Sequence, residues 1–515
     1  MNVKVARVVK VICFSIITIM IINCLTDMMK PKWLEYRWQS AKTNNSFYEL
    51  EKDSTEVLFF GSSVIAAAVD PFQLYNEQGI SSYNLGVMSQ PIFASYFWLK
   101  EAVKTQDIKV AVIEIKSAGR GIEKSVEKAR KSYDYMKPGI VKLQYAIEYN
   151  NVHKNDDKVQ LWDYLFPLSI YHSRWSELTY DDYDFFLGND DSYTRGFSTL
   201  ITEFENSENF DPVKYENGEY DGLEMDTDKL AKVNAVNKTY AKRLIDFAKE
   251  KGIQLLFVKT PDTRWNTKQY NYIKKLAEEN DIEYLDFNRK ELRKEIGLDY
   301  ATEAADGVHL NLNGATKVSK YLGTYLAENY DLTDFRESDN PVKKAYESGM
   351  DSYKASGKAS ALAMVTDFNT YLESVNDEDF SVIIMAGSEA GKIKFSENQR
   401  KLLMELGADE SLFQESEYGK SIIFVKDSDV VVNKVTLQDE DYTKSAFNSG
   451  TLNNKTDYSI STGVKECSVR FNDSAFERIV PSGFNIIIYN KVLNNIADAI
   501  YLNADDSNLT LHRLW

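Results

Sequence analysis

Residues 57–69 read VLFFGSSVIAAAV. Val57-Leu58-Phe59-Phe60 is a short buried strand, Gly61 lets the chain turn sharply, and Val64-Ile65-Ala66-Ala67 begins a helix behind the turn. A serine at the turn, Ser63, would point its hydroxyl at the open strand ends. Backbone N–H groups at the start of the helix could there stabilise an oxyanion. Taken alone the signal is weak, since a Gly-Ser-Ser turn after a strand is usually only a turn or a helix cap.

The same strand-then-helix rhythm continues outward. Further strands are predicted at 82–85 (SYNL), 109–115 (KVAVIEI), 253–258 (IQLLFV) and 283–287 (EYLDF). Helical segments are predicted near 71–77, 91–104, 227–251, 267–280 and 313–329. Apolar strands between amphipathic helices indicate a parallel sheet covered on both faces. The expected fold class is therefore α/β, a three-layer, flavodoxin-like domain with a parallel five-stranded sheet. Ligands of such folds sit at the carboxyl ends of the strands. Residues 117–226, rich in Tyr, Trp, Asp and Asn, are too long for an ordinary crossover and are expected to form a cap facing substrate.

A chain of 515 residues exceeds one core, and 43% hydrophobic content suits well-buried globular domains. The net charge of −17 excludes nucleic acid as an expected partner, because no basic excess exists to neutralise phosphates. Of three cysteines, Cys13 and Cys24 lie in the apolar N-terminal stretch and only Cys467 lies elsewhere. No disulfide framework is possible in the rest of the chain, which argues mildly against a secreted eukaryotic protein and fits a disulfide-poor bacterial surface protein.

Lys4, Arg7 and Lys10 precede an uncharged apolar run at 11–26. The expectation is an uncleaved single-pass membrane anchor over residues 1–30, with the N-terminus inside and the soluble domains extracytoplasmic. A cleaved signal peptide is the alternative, but Asn23-Cys24-Leu25-Thr26-Asp27 offers no small-x-small site. Residues 31–50 read as a polar, partly helical stalk.

Far downstream, after the fifth predicted strand, stands Asp306-Gly307-Val308-His309-Leu310-Asn311. A serine needs a base to take its proton, and neutral histidine suits that task near pH 7. The histidine in turn needs a carboxylate to fix its tautomer, which an Asp three residues earlier can supply. The fold would bring this loop to the same edge as the turn after the first strand.

Gly61-Ser62-Ser63 resembles the Gly-Asp-Ser block of the SGNH/GDSL hydrolases, with Ser62 in the Asp position. Asp306-x-x-His309 resembles their terminal Asp-x-x-His block, and Tyr83-Asn84-Leu85-Gly86 the block supplying the oxyanion glycine. The resemblance covers about residues 55–330. It implies Ser63 as nucleophile, Asp306 and His309 as its partners, and the N–H groups of Ser63 and Gly86 as oxyanion donors. One block departs from the pattern. The family's Gly-x-Asn-Asp should follow the third strand, where this chain has Glu114-Ile115-Lys116-Ser117-Ala118-Gly119. A lost oxyanion donor costs about 3–4 kcal/mol of transition-state stabilisation.

A Gly-Ser-Ser form without that Asn is similar to surface-polymer tailoring proteins, such as the alginate O-acetyltransferases and the protein of teichoic-acid D-alanylation. Those act with a multispanning membrane acyltransferase. The resemblance thus implies an extracytoplasmic serine esterase or O-acyltransferase working on acyl groups of a cell-envelope glycan through an acyl-Ser63 intermediate. The competing reading is a non-catalytic surface glycan-binding or assembly protein that keeps the scaffold.

Softer candidates are His172, Arg174 and Trp175, which could meet substrate by stacking and ion pairing or could simply be packed in the cap. Lys259-Thr260-Pro261 ends the fourth predicted strand at the same edge. Four scattered histidines without a zinc motif, and no glycine-rich phosphate loop, predict neither metal nor cofactor.

Residues 31–335 are assigned to the hydrolase-like domain and 336–358 to a linker. From 359 to 515 the pattern becomes α+β, with strands expected at Phe380–Ala386, 421–426, 468–471 and 485–489, and a helix at 396–406 ending at Gly407. Residues 482–489 and 497–499 resemble one half of an ILEI/FAM3-like domain, and residues 368–372, the strand at 380–386 and the helix at 402–407 the other half, in swapped order. That resemblance implies a carbohydrate-recruiting accessory module, with a purely structural role as the equal alternative.

Overall fold

The computed structural model describes residues 3–32, 38–119, 126–153, 160–179, 182–183, 185, 194–221, 227–337, 339–441, 443–464, 466–472 and 474–514. The chain divides into two compact units, Met1–Ser348 and Gly349–Trp515, the division falling inside the helix Pro341–Met364.

The first unit is built on five parallel strands, β1 (Val57–Phe60), β2 (Ser82–Asn84), β3 (Val110–Glu114), β4 (Gln254–Lys259) and β5 (Glu283–Asp286), in the order β2-β1-β3-β4-β5. This is the doubly wound flavodoxin order. Leu58 pairs with Tyr83 on one side and Ala111 on the other, and Val258 pairs with Leu285. Successive strand residues face opposite layers. Leu58, Phe60, Ala111 and Ile113 pack with Phe97, Trp98 and Leu244 of the helices Ile92–Ala102 and Ala235–Lys251. Val57, Phe59, Val110 and Val112 pack with Leu74, Val318 and Leu322 of the helices Pro71–Gln78 and Leu312–Asn329. Each fully buried Val, Leu, Ile or Phe among these contributes roughly 1.5–3 kcal/mol, so both faces must stay covered.

Two expectations are corrected. The helix expected from 227 begins at Ala235, because the Asn234 side chain accepts the Asn237 N–H and caps it there; it ends at Gly252 in the left-handed conformation. The stretch expected to be a stalk, as far as it is described, packs on the unit. Ala41, Asn44 and Phe47 of the helix Ser40–Phe47 are buried, Tyr83 donates its hydroxyl to Thr43 O, and Asn44 Nδ2 donates to Lys131 O. These buried hydrogen bonds require fixed geometry.

Within residues 117–226 the helices Val126–Tyr133 and Ile140–Val152 add Tyr133, Tyr145 and Tyr149 to the core of the sheet's first face. Arg130 forms a buried ion pair with Asp134 at 3.0 Å, joined by the Tyr171 hydroxyl. The helix Val3–Met29 contains one segment, Arg7–Met29, long and apolar enough to cross a membrane.

The second unit contains a six-stranded sheet of β6 (Phe380–Ala386), β7 (Lys420–Asp427), β8 (Val430–Leu437), β13 (Phe484–Asn490), β14 (Asn495–Leu502) and β15 (His512–Arg513), with every neighbour antiparallel. A four-stranded sheet of β9 (Ala446–Leu452), β10 (Thr456–Thr462), β11 (Cys467–Phe471) and β12 (Ser474–Ala475) covers one face through Leu452, Ile460 and Val469. The helices Phe368–Val375 and Glu397–Glu405 cover the other through Tyr371, Leu372 and Leu403.

Candidate active site

Ser63 opens the helix Ser63–Ala66 immediately after β1, with Ser62 in the extended cap position. The turn needs glycine at 61, since a Cβ there would stand 2.7 Å from the Glu114 Cβ of the neighbouring strand. His309 lies between the helices Tyr300–Glu303 and Leu312–Asn329. Its loop is fastened on both sides of the imidazole: Ala305 N donates to His309 O at 2.8 Å, and Asn311 caps the following helix while its Nδ2 donates to Thr302 O.

Ser63 Oγ and His309 Nε2 are 2.9 Å apart, and His309 Nδ1 is 2.8 Å from Asp306 Oδ2. The other Asp306 oxygen accepts the Val308 and His309 N–H groups at 2.7 and 3.0 Å. A carboxylate facing Nδ1 places the proton there, which leaves the Nε2 lone pair to accept the serine hydroxyl. Burial pushes the Asp306 carboxyl upward, but the hydrogen bond and charge of His309 and the two backbone N–H groups hold it below its ordinary 3.8.

Ser63 and His309 share a cavity of about 500 Å³ at the carboxyl edge of the sheet. Trp38 forms part of its wall, its ring centroid 4.9 Å from that of His309. Lys116, Lys128, His153 and Arg264 also line it, and no Asp or Glu does among the described residues. In a chain carrying 78 acidic and 61 basic residues, a carboxylate-free lining is a local reversal of the overall charge.

Beneath the floor lies a buried ionic cluster. Lys259 Nζ at the end of β4 sits 3.2 Å from Glu114 Oε1 at the end of β3 and 3.7 Å from Asp262 Oδ2. Asp262 also takes Lys116 Nζ at 3.0 Å. Lys259, Glu114 and Asp262 are no more than 1% exposed, so each charge must be compensated by the others. Lys116 and Ser117, which stand where the resemblance calls for an Asn block, line the cavity.

Two groups of expected residues fall elsewhere. The Gly86 N–H donates to Asn84 Oδ1 at 3.0 Å, and Gly86 is not part of the cavity wall. Glycine is needed there for close approach, because a Cβ would lie 2.6 Å from Ile65 Cγ2. Met88, Ser89 and Gln90 of the same loop reach the cavity instead. His172, Arg174 and Trp175 do not line it either. Arg174 donates to Met29 O at 2.6 Å and pairs with Asp182, and the His172 ring contacts Ser169 O, so this trio belongs to the seam beside the N-terminal helix.

Trp38, Lys128, His153 and Arg264 carried no motif, and nothing in their spacing pointed to the cavity. Lys116 and Lys259 stand out in the sequence by their positions at strand ends, whereas Asp262 does not.

No protein-family model matches this chain, and no curated protein matches it. Among solved structures it is similar to a Bacteroides fragilis protein described as an acylhydrolase, at 10% identity and a TM-score of 0.27, over 58% of this chain and 99% of that one.

Proposed function

We propose that the protein is an extracytoplasmic serine esterase or O-acyltransferase acting on acyl groups of a cell-envelope glycan. The observation that carries this reading is the continuous hydrogen-bonded line from Ser63 Oγ through His309 to Asp306. Ser63 Oγ would attack the ester carbonyl as His309 Nε2 takes its proton. The tetrahedral intermediate would collapse to acyl-Ser63, with His309 returning the proton to the leaving alkoxide. Water, or a sugar hydroxyl activated by the same imidazole, would then take the acyl group.

The Ser63 N–H, first in its helix, has no intrahelical acceptor and is the oxyanion donor we assign. With the Gly86 N–H bonded to Asn84 and the Lys116 charge paired with Asp262, we assign no second oxyanion donor. The cationic lining favours a polymer bearing acidic groups. The N-terminal helix would hold the catalytic unit at the membrane, where a multispanning acyltransferase could hand over the acyl group. The second unit would recruit carbohydrate.

A second reading has its own support: the engaged Gly86 N–H and the absent Asn block suit a glycan-binding protein that keeps the scaffold without turnover. Acyl release from acetylated and D-alanylated polymers, compared between the full-length protein and Ser63→Ala, separates the two. Release that depends on Ser63 supports the enzyme. Polymer binding without release, equal in both proteins, supports the second reading.

A further inference from the structure

The helix Ile140–Val152 is apolar on two faces. Val141, Tyr145 and Tyr149 are buried in the core, while Ile140, Leu143 and Ile147, at positions i, i+3 and i+7, form an exposed stripe. Next to it the helix Leu161–Leu165 and the residue after it expose Trp162, Leu165 and Phe166, with the Trp162 and Phe166 rings 4.0 Å apart. Outside the N-terminal helix, the exposed large hydrophobic residues of this unit concentrate between residues 140 and 183. Only Val213 and Leu230 lie elsewhere among the described residues. Water does not favour such a concentration on a soluble surface.

What covers this face follows from its neighbour. Leu143, Leu165 and Phe166 share one groove with Ile19 and Ile22 of the helix Val3–Met29. Ile19 lies ten residues before Met29, about 15 Å along the axis at 1.5 Å per residue. If that helix crosses an ~30 Å hydrocarbon layer upright, the groove reaches well inside it. The helix is held in this relation at its end, where Arg174 donates to Met29 O and Lys30 Nζ reaches Asp134 O. Trp175, 70% exposed beside this junction, has the amphipathic ring favoured at a membrane interface.

We infer that the face formed by Ile140, Leu143, Ile147, Trp162, Leu165 and Phe166 is sunk in the lipid bilayer, a second membrane contact beside the N-terminal helix. The inference rests on reading that helix as an anchor. It gives the catalytic unit a fixed height and orientation over the membrane, which a single flexible tether would not. It also accounts for Trp175, which the catalytic cavity does not use.

The test uses the full chain in nanodiscs of phosphatidylcholine and phosphatidylglycerol with no other protein, in a Cys13→Ala, Cys24→Ala background. An environment-sensitive fluorophore is attached at Leu143→Cys or Phe166→Cys, with Ile19→Cys as the control for the span and Val213→Cys as the control for water. Circular dichroism and melting confirm the fold of each variant. The expected result is quenching by brominated lipid at 143 and 166 several-fold above that at 213, with blue-shifted emission. Quenching at 19 but only the level of 213 at 143 and 166 would overturn the inference while leaving the anchor intact. No quenching at 19 would overturn both. Blue-shifted but unquenched labels at 143 and 166 would overturn it in favour of cover by a second copy of the chain.

Discussion

The Trp38 ring centroid stands 4.9 Å from that of His309, with the planes tilted by 50°. The indole covers one side of the imidazole that bonds Ser63, and it comes from the segment just after the N-terminal helix. The segment that follows the N-terminal helix thus contributes to the wall of the cavity.

Aromatic contacts of this kind are worth roughly 0.5–1.5 kcal/mol beyond area burial, and 1.4 kcal/mol is tenfold in rate or affinity. Trp38→Ala is therefore expected to lower kcat/KM up to about tenfold, with Trp38→Phe recovering most of it. Steady-state kinetics on one acyl ester checks this. Equal losses in both variants would show that the ring face is not what matters.

Asp306 fixes the tautomer of His309, so Asp306→Asn should reduce kcat by about 10⁴-fold, the scale set by a wrong imidazole tautomer in serine hydrolases. Its carboxyl is depressed in the folded state, so the stability it confers is full above the unfolded value near 3.8 and disappears as pH falls through the lower folded value. Melting of the protein and of Asp306→Asn should therefore differ above about pH 4 and converge below it. A difference that grows towards low pH would contradict the assignment.

Lys259 pairs with Glu114 beneath the cavity floor and shares Asp262 with Lys116. Removing one partner of a buried pair costs roughly 3–5 kcal/mol because the remaining charge stays buried. Lys259→Met should destabilise the first unit on that scale in urea unfolding, while Lys259→Met with Glu114→Leu should restore part of the loss. A Lys259→Met protein as stable as the parent would mean that the cluster is hydrated or differently protonated.

Arg264 is largely exposed at the cavity, with its side chain 61% accessible. An exposed charge pair is worth about 0.2–1 kcal/mol. Arg264→Gln should raise KM up to about fivefold for esters carrying a carboxylate or phosphate, leave neutral esters unchanged, and weaken the salt dependence. The same shift for charged and neutral esters would refute an acidic substrate.

The five-stranded sheet was legible because its strands are continuous apolar runs, such as 57–60 and 110–114, separated by amphipathic helices. Ser63, Asp306 and His309 could be picked out because serine chemistry demands a base and a carboxylate in a short local pattern. Strands of the second unit escaped notice where they carry short polar residues: β9 reads AFNSGTL and β10 TDYSIST, and their hairpin is announced only by Asn453-Asn454, both at positive φ. Trp38 was hidden in a stretch whose polarity suggested a stalk, whereas the stretch is held by distant elements: Asn44 Nδ2 donates to Lys131 O and the Thr43 carbonyl accepts the Tyr83 hydroxyl. The engagement of the Gly86 N–H comes from the Asn84 side chain reaching forward by two residues, a local tendency of Asn that the resemblance to the oxyanion block overrode.

Activation of the Ser63 hydroxyl as a nucleophile rests on its 2.9 Å approach to His309 Nε2. A fluorophosphonate probe followed by peptide mass mapping tests it most directly. A single adduct on Ser63 is expected, absent in Ser63→Ala and sharply slowed in His309→Ala. A folded protein that takes no label at Ser63, or takes it equally fast without His309, would contradict it.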